Sequence, residues 1–286
     1  MSASATAAIE ARGLCKRYGA FEAVRSIDIT VQRGEVFGLL GPNGAGKTTT
    51  VEILEGYRER SEGEVCVLGE DPARHSHSLR QRIGIVLQSG GIYGHITPRE
   101  ALRHWASFYP RPREVEEVLA LAGLASQADV RSRKLSGGQL RRLDFALALV
   151  GDPELMFLDE PTTGFDPQAR RSAWETVRKL REGGKTILLT THYLDEAQEL
   201  ADRVAIIKDG RILAIGPPRE LGAGSAHYRV SYRGADGELI ERQADDPTAL
   251  LHQLTGEALA RGERLEELAV RRPTLEELYL ELTADA

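Results

Sequence analysis

Cysteine is nearly absent: the 286 residues hold only Cys15 and Cys66, far apart and in apolar company. Two isolated thiols exclude a disulfide framework and a cysteine-based metal site, and both read as ordinary buried thiols. Long apolar runs are missing too, none approaching the roughly 20 residues that cross a bilayer. The opening MSASATAAIEARG lacks a basic start followed by an apolar segment, so a soluble, cytoplasmic chain is expected. Excess positive charge is the third absence, the net charge being -6. From residue 222 onward 7 Lys+Arg face 13 Asp+Glu, and removing these from the totals of 37 and 43 leaves 30 of each in the body. A balanced body with an acidic tail argues against general affinity for nucleic acid or anionic lipid. The pairs Arg141-Arg142 and Arg170-Arg171 read as solvated helix faces.

What is present centres on residues 35–50, EVFGLLGPNGAGKTTT. A short apolar run stops at Gly41 and gives way to glycines, a lysine and threonines, which predicts a strand, a phosphate loop and a helix start. Gly41, Gly46, Lys47 and Thr48 complete the pattern G-x-x-x-x-G-K-[ST]. Its glycines let backbone N–H groups converge on phosphate oxygens, and the helix start adds its positive dipole end. The loop Gly41, Pro42, Asn43, Gly44, Ala45 and Gly46 is therefore expected to cradle the phosphates. Lys47 reaches the β- and γ-phosphates in this reading, Thr48 supplies a hydroxyl to Mg²⁺, and Thr49 adds a donor.

Around this stretch the periodicities predict an α/β chain. Ile27, Ile29 and Val31 alternate with polar residues, as in a half-buried strand of an antiparallel layer. Further strands are expected at 64–69 and 82–87. Thr97-Pro98-Arg99-Glu100 is a capping box with proline at the first helical position. Helical spacing follows at Val115, Val118, Leu119 and Ala122, and again at Leu140, Leu143, Leu147 and Val150, so 97–150 reads as a helical insertion. The apolar run 154–160 resumes the core and ends in two carboxylates, Asp159 and Glu160. A helix marked by Trp174, Val177 and Leu180, a strand at 186–191, a short helix at 196–202 and a hairpin about Asp209-Gly210 follow. Glycines and prolines at 216–225 punctuate a boundary, giving a nucleotide-binding domain over 1–221 and a small α+β domain over 222–286.

Hydrolysis of a γ-phosphate needs a metal, a positioner of water, and positive or dipolar groups around the developing charge. Asp159, after four apolar residues, is placed to hold Mg²⁺, and Glu160 beside it to act as general base. Ser136, in Leu135-Ser136-Gly137-Gly138-Gln139, caps a helix whose first N–H groups come from two glycines. On its own that pentapeptide fits a plain helix cap equally well.

Together these motifs resemble those of the ATP-binding subunits of ABC transporters, over roughly residues 9–220 and in the family's order. The resemblance implies a P-loop NTPase core with an antiparallel β subdomain and a helical subdomain. It also implies ATP hydrolysis with ATP and Mg²⁺ bound. Position by position, Tyr18 looks like the aromatic that stacks on adenine. Gln88 looks like the glutamine near the metal and the membrane contact, and His192 like the switch histidine at the γ-phosphate. Ser136, Gly137, Gly138 and Gln139, with Asp166, look like the elements that meet ATP held by the opposing subunit. Phe165 stands where many relatives have leucine, which keeps the apolar character. The run 143–149 and the ending 272–280 look most like exporters of the daunorubicin-resistance type. The implied partners are a membrane-spanning permease and a second ATP-binding subunit, at the cytoplasmic face of the cell membrane, exporting a drug, antibiotic or other small molecule. The rival reading is a soluble ABC ATPase acting on ribosomes or DNA. Ribosome-acting members usually carry two cassettes, and DNA-repair members insert coiled coils or zinc modules, neither of which this sequence shows.

Overall fold

The computed structural model describes residues 7–87, 94–223, 228–234 and 237–283, in two compact units, 1–215 and 216–286. The first unit begins with an antiparallel layer. Strand β1 (Ala7–Tyr18) pairs with β2 (Phe21–Gln32) and, on its other edge, with a later strand. Strand β3 (Val36–Leu40) is buried along its whole length and feeds α1 (Lys47–Leu54) through the glycine loop. Then come β4 (Glu62–Val67), which closes the antiparallel sheet in the order β2-β1-β4, the short helix α2 (His77–Arg82) and β5 (Ile83–Val86).

The helical insertion consists of α3 (Pro98–Ala106), α4 (Val115–Leu121) and α5 (Gly137–Leu149). Helix α3 starts as its capping box dictates: Glu100 N donates to Thr97 Oγ1 and Thr97 N to the Glu100 carboxylate, at 3.2 and 2.8 Å. The three helices bury Leu102, Leu119 and Leu143 in a core of their own. Beyond them run β6 (Leu155–Asp159), α6 (Pro167–Glu182), β7 (Thr186–Thr191), α7 (Leu194–Leu200), β8 (Arg203–Lys208) and β9 (Arg211–Gly216).

The central sheet has the order β5-β6-β7-β3-β8-β9, with parallel pairing from β5 through β8. Strands β3 and β6 are buried at every position and read as near-continuous apolar runs because both faces are covered there, whereas the edge strand β9 is not buried. Leu39, Leu155 and Phe157 face a core shared with α1 and the antiparallel layer. Val36, Met156 and Leu158 face the opposite core, against Phe145 of α5 and Val177 of α6. The order places β6 and β7 next to each other and β7 next to β3. All three therefore end at the C-terminal edge where open α/β sheets bind ligands.

The second unit holds α8 (Pro218–Ala223), β10 (Tyr228–Arg233), β11 (Leu239–Ala244), α9 (Pro247–Arg261), β12 (Glu266–Arg271) and α10 (Leu275–Thr283). Its antiparallel sheet, β11-β10-β12, packs Val230 and Tyr232 against Leu254 of α9.

Two readings of single residues are corrected. Arg141 is 8% exposed rather than on a solvated face, because its side chain turns inward from α5 to carbonyls at the strand ends. Cys66 is half-buried while Cys15 is buried, since Cys66 lies on β4 at the edge of the antiparallel sheet.

Glu55, which caps the C-terminus of α1, is a carboxyl under unusual pressure. Burial, with the charges of Asp159 and Glu52 adding to it, pushes its pKa from the ordinary 4.5 up to about 8. Between those two pH values the folded chain keeps a proton that the unfolded chain has released, so stability falls as pH rises through that window. Glu55→Gln removes the titrating group. We expect it to match wild type near pH 4 and to gain on the order of a few kcal/mol over it by pH 9. Urea melts across that range check this; parallel stability curves for the two chains contradict it.

Candidate active site

Strand β3 ends at Gly41 because the chain must turn where no side chain fits: a Cβ there would fall 2.2 Å from the Ile207 carbonyl oxygen. The loop ends at Gly46, which caps α1 in the left-handed region at φ 103° and offers no side chain to the first-turn N–H groups. Those donors are left for a ligand. Lys47 lies 5% exposed at the helix start. Its Nζ donates to the carbonyls of Gly41 and Pro42 at 2.8 and 3.1 Å and stands 3.5 Å from Glu160 Oε1. Burial pushes its pKa down, opposed by the nearby charges of Glu160 and Asp159.

The carboxylates come from the end of β6. Asp159, 7% exposed, sits opposite Thr190 of β7 in the parallel register. Thr190 Oγ1 donates to Asp159 Oδ1, and Thr48 Oγ1 lies 3.5 Å from Asp159 Oδ2. The same Thr190 hydroxyl accepts from Glu160 N at 3.0 Å, and the Thr190 carbonyl accepts from it at 3.2 Å. Glu160 itself has φ 45°, a left-handed conformation that costs a residue with a side chain and persists where its surroundings impose it. Its Oε2 accepts from Thr163 Oγ1 at 3.2 Å, and its Oε1 lies 3.3 Å from Nδ1 of His192, just past the end of β7. One carboxylate oxygen thus lies within 3.5 Å of both an ammonium and an imidazole nitrogen.

Lys47, Thr48, Asp159, Glu160 and His192 therefore converge. Thr49 is half-buried in the first turn of α1, and Asn43 and Gly44 are exposed on the loop, between the half-buried Pro42 and the buried Ala45. Tyr18, 42% exposed at the end of β1, has Lys16 Nζ and the Arg58 guanidinium 5.1 and 5.4 Å from its ring centroid. Gln88 lies outside the described residues.

A second group lines a separate cavity of about 740 Å³: Ser136, Gly137 and Gly138 at the start of α5, and Gly164, Phe165 and Asp166 at the start of α6. Both helix starts are capped. Gln139 N donates to Ser136 Oγ at 3.2 Å, Ser136 N donates to Gln139 Oε1 at 2.9 Å, and Ala169 N donates to Asp166 Oδ1 at 2.8 Å. The loop into α6 is tied down by Glu196, fully buried, whose Oε1 accepts from Thr162 Oγ1 at 2.8 Å and Trp174 Nε1 at 3.1 Å.

Sequence reasoning passed over Thr190 and Thr163, which hold the two carboxylates. The only signal for Thr190 is a hydroxyl near the end of an apolar strand, two residues before His192.

Residues 24–163 match the family model described as ABC transporter. The daunorubicin resistance ATP-binding protein DrrA3 of Streptomyces coeruleorubidus is 37% identical over 98% of this chain and 97% of its own length. A fluoroquinolones export ATP-binding protein of Mycobacterium tuberculosis is 39% identical over 97% and 94% respectively. Among solved structures, an ATP binding subunit of an ABC transporter superposes with a TM-score of 0.68 at 27% identity, covering 76% of this chain and 92% of that one. With near full-length coverage on both sides, the chain belongs to the ABC transporter family, as one of its ATP-hydrolysing subunits.

Proposed function

We propose that this ATPase binds ATP with Tyr18 against the adenine and the 41–46 loop, Lys47, Thr48 and Thr49 around the phosphates, and that Glu160 and His192 act on the γ-phosphate. The observation that carries this reading is the convergence of Lys47, Asp159, Glu160 and His192 at the ends of adjoining strands. No group of three or more His, Cys, Asp or Glu is arranged to hold a metal ion by itself among the described residues. A cation held by one carboxylate, a hydroxyl and substrate phosphates suits Mg²⁺, which keeps few protein ligands. Asp159 and Thr48, both hard oxygen donors, fit that ion, and Gln88 is assigned to it as well. Bound there, Mg²⁺ supplies positive charge to the β- and γ-phosphate oxygens.

The chain's own groups do the rest. Lys47 exchanges its two carbonyl acceptors for phosphate oxygens and stabilises charge on them. Glu160 orients a water and takes its proton, its carboxylate fixed by Thr163 and by the pinned backbone. Ser136, Gly137, Gly138, Gln139 and Asp166 meet nucleotide held by a second copy of the chain, in a head-to-tail pair. The chain is the ATP-hydrolysing subunit of a membrane exporter. No helix among the described residues is long and apolar enough to span a membrane. The names of the export relatives support a separate membrane-spanning permease as partner, with this subunit at the cytoplasmic face. The relatives named for daunorubicin resistance and fluoroquinolone export support a drug, antibiotic or other small molecule as cargo. The 222–286 segment forms a small accessory domain that supports pairing or partner choice.

The shared sites are tested by mixing. Chains bearing Lys47→Ala or Ser136→Arg, each in a Glu160→Gln background, are expected to remain monomeric with ATP. Mixed together they leave one site intact, and ATP-dependent dimers carrying one nucleotide per pair should sediment. In the reciprocal mixture, with both lesions in one chain and neither in the other, mixed dimers have no intact site, and a tag on the lesioned chain separates them from homodimers of the lesion-free chain. Tagged dimers from the reciprocal mixture and none from the first would show that Lys47 and Ser136 serve one site within one chain.

A further inference from the structure

Arg141 leaves α5 five residues after Ser136 and reaches three carbonyls at or just past the ends of β5 and β6. Its Nε donates to Pro161 O and its Nη2 to Asp159 O, each at 3.3 Å, and its Nη1 donates to Leu87 O, directly after β5. The Asp144 carboxylate, one turn along α5, is 3.7 Å from Nη1. Two of those carbonyls bracket Glu160. The Asp159 carbonyl belongs to the same peptide unit as the Glu160 N–H, which Thr190 holds. That peptide is gripped at both ends, by threonine on the N–H side and by a guanidinium on the carbonyl side. The residue that follows from it has φ 45°.

A brace serving stability alone is poorly made from a buried ion pair, since apolar side chains of similar volume do as well or better. Burial here pushes the Arg141 pKa down and the Asp144 pKa up, so both charges are kept against an opposing cost. Asp144 lines the cavity that contains Ser136 and also a second cavity of about 740 Å³ beside β5, lined by Ile83, Val86 and Leu87. The pair lies where the insertion helix and the catalytic strand meet.

We infer that Arg141 is a positioning residue for ATP hydrolysis: its guanidinium imposes the left-handed turn that aims Glu160 and locks that turn to the Ser136 helix. This rests on the reading of Glu160 as the base. Arg141 does not touch the phosphates; it acts through the backbone on either side of Glu160.

The test uses the full-length chain carrying Arg141→Lys, Arg141→Gln, and Arg141→Gln combined with Asp144→Asn. Lysine keeps the charge but has no planar fork to span three carbonyls. In the double variant no buried charge is left unpaired, so its Tm should recover from the loss caused by Arg141→Gln. We expect kcat to fall about 10- to 100-fold in all three, the scale of a small misplacement of a reacting group, with KM for ATP within about two-fold because the phosphate loop is untouched. Recovery of kcat together with Tm in the double variant overturns the inference, as does a rise in KM at constant kcat. Glu160→Gln is assayed alongside. If it turns over ATP as wild type does, the base assignment fails and the inference with it. If it is inactive while the Arg141 variants match wild type, the inference alone fails.

Discussion

Glu160→Gln is expected to bind ATP as wild type does and to lose turnover by about 10²- to 10⁴-fold, the range supplied by a positioned general base. Glutamine keeps the shape and can still accept from Thr163 Oγ1, which lies 3.2 Å from Glu160 Oε2. It cannot take a proton from water. Nucleotide affinity survives because the loop N–H groups and Lys47 are unchanged. Removing a negative charge 3.5 Å from Lys47 Nζ should, if anything, strengthen the ammonium's pull on phosphate. Phosphate release and filter binding of labelled ATP on the same preparation check both halves. Equal turnover in the two chains would remove Glu160 from the chemistry. Partial loss would point to water held jointly with His192, whose Nδ1 is 3.3 Å from the same carboxylate oxygen.

Lys47→Ala is expected to fail earlier, at binding. Charge-assisted hydrogen bonds from one ammonium to phosphate are worth about 1.5–3 kcal/mol in total, so ATP affinity should fall by roughly 10- to 150-fold at saturating Mg²⁺. A second loss follows from the pairing of Lys47 with Glu160. Alanine leaves Glu160, whose side chain is 10% exposed, without its nearest cation, and a buried carboxylate stripped of a partner is costly. Turnover at saturating ATP should therefore remain low. Titration calorimetry with a slowly hydrolysed ATP analogue measures the affinity directly. An unchanged Kd would mean that Lys47 serves only the transition state.

The parts of the fold that showed in the sequence were those governed by local rules. The β3–loop–α1 unit was legible because a buried parallel strand must be apolar throughout, and a phosphate loop must turn on glycines such as Gly41. The start of α3 was legible because Thr97 and Glu100 satisfy each other's backbone. By contrast β1 did not read as one strand of twelve residues. Its pairing with β2 shifts register repeatedly between Ala11 and Arg17, and each shift breaks the two-residue alternation by which strands are recognised. The setting of the carboxylates was hidden for a different reason. Asp159 meets Thr190 only because crossover connections bring β6 beside β7, a matter of topology over 31 residues of chain. Arg141 read as solvated because an Arg-Arg pair on a helix usually is. Its burial depends on carbonyls at the ends of two other elements, which no window around residue 141 contains.

The most direct test of the account is the chemical identity of the nucleotide recovered after wild type, Glu160→Gln and Lys47→Ala are each mixed with a slight deficit of γ-labelled ATP and Mg²⁺ and quenched after one turnover time. If Lys47 and Asp159 hold the phosphates and Glu160 drives their cleavage, wild type yields ADP and free phosphate, Glu160→Gln yields intact ATP bound to protein, and Lys47→Ala retains almost none. ADP formed by Glu160→Gln at the wild-type rate would contradict it.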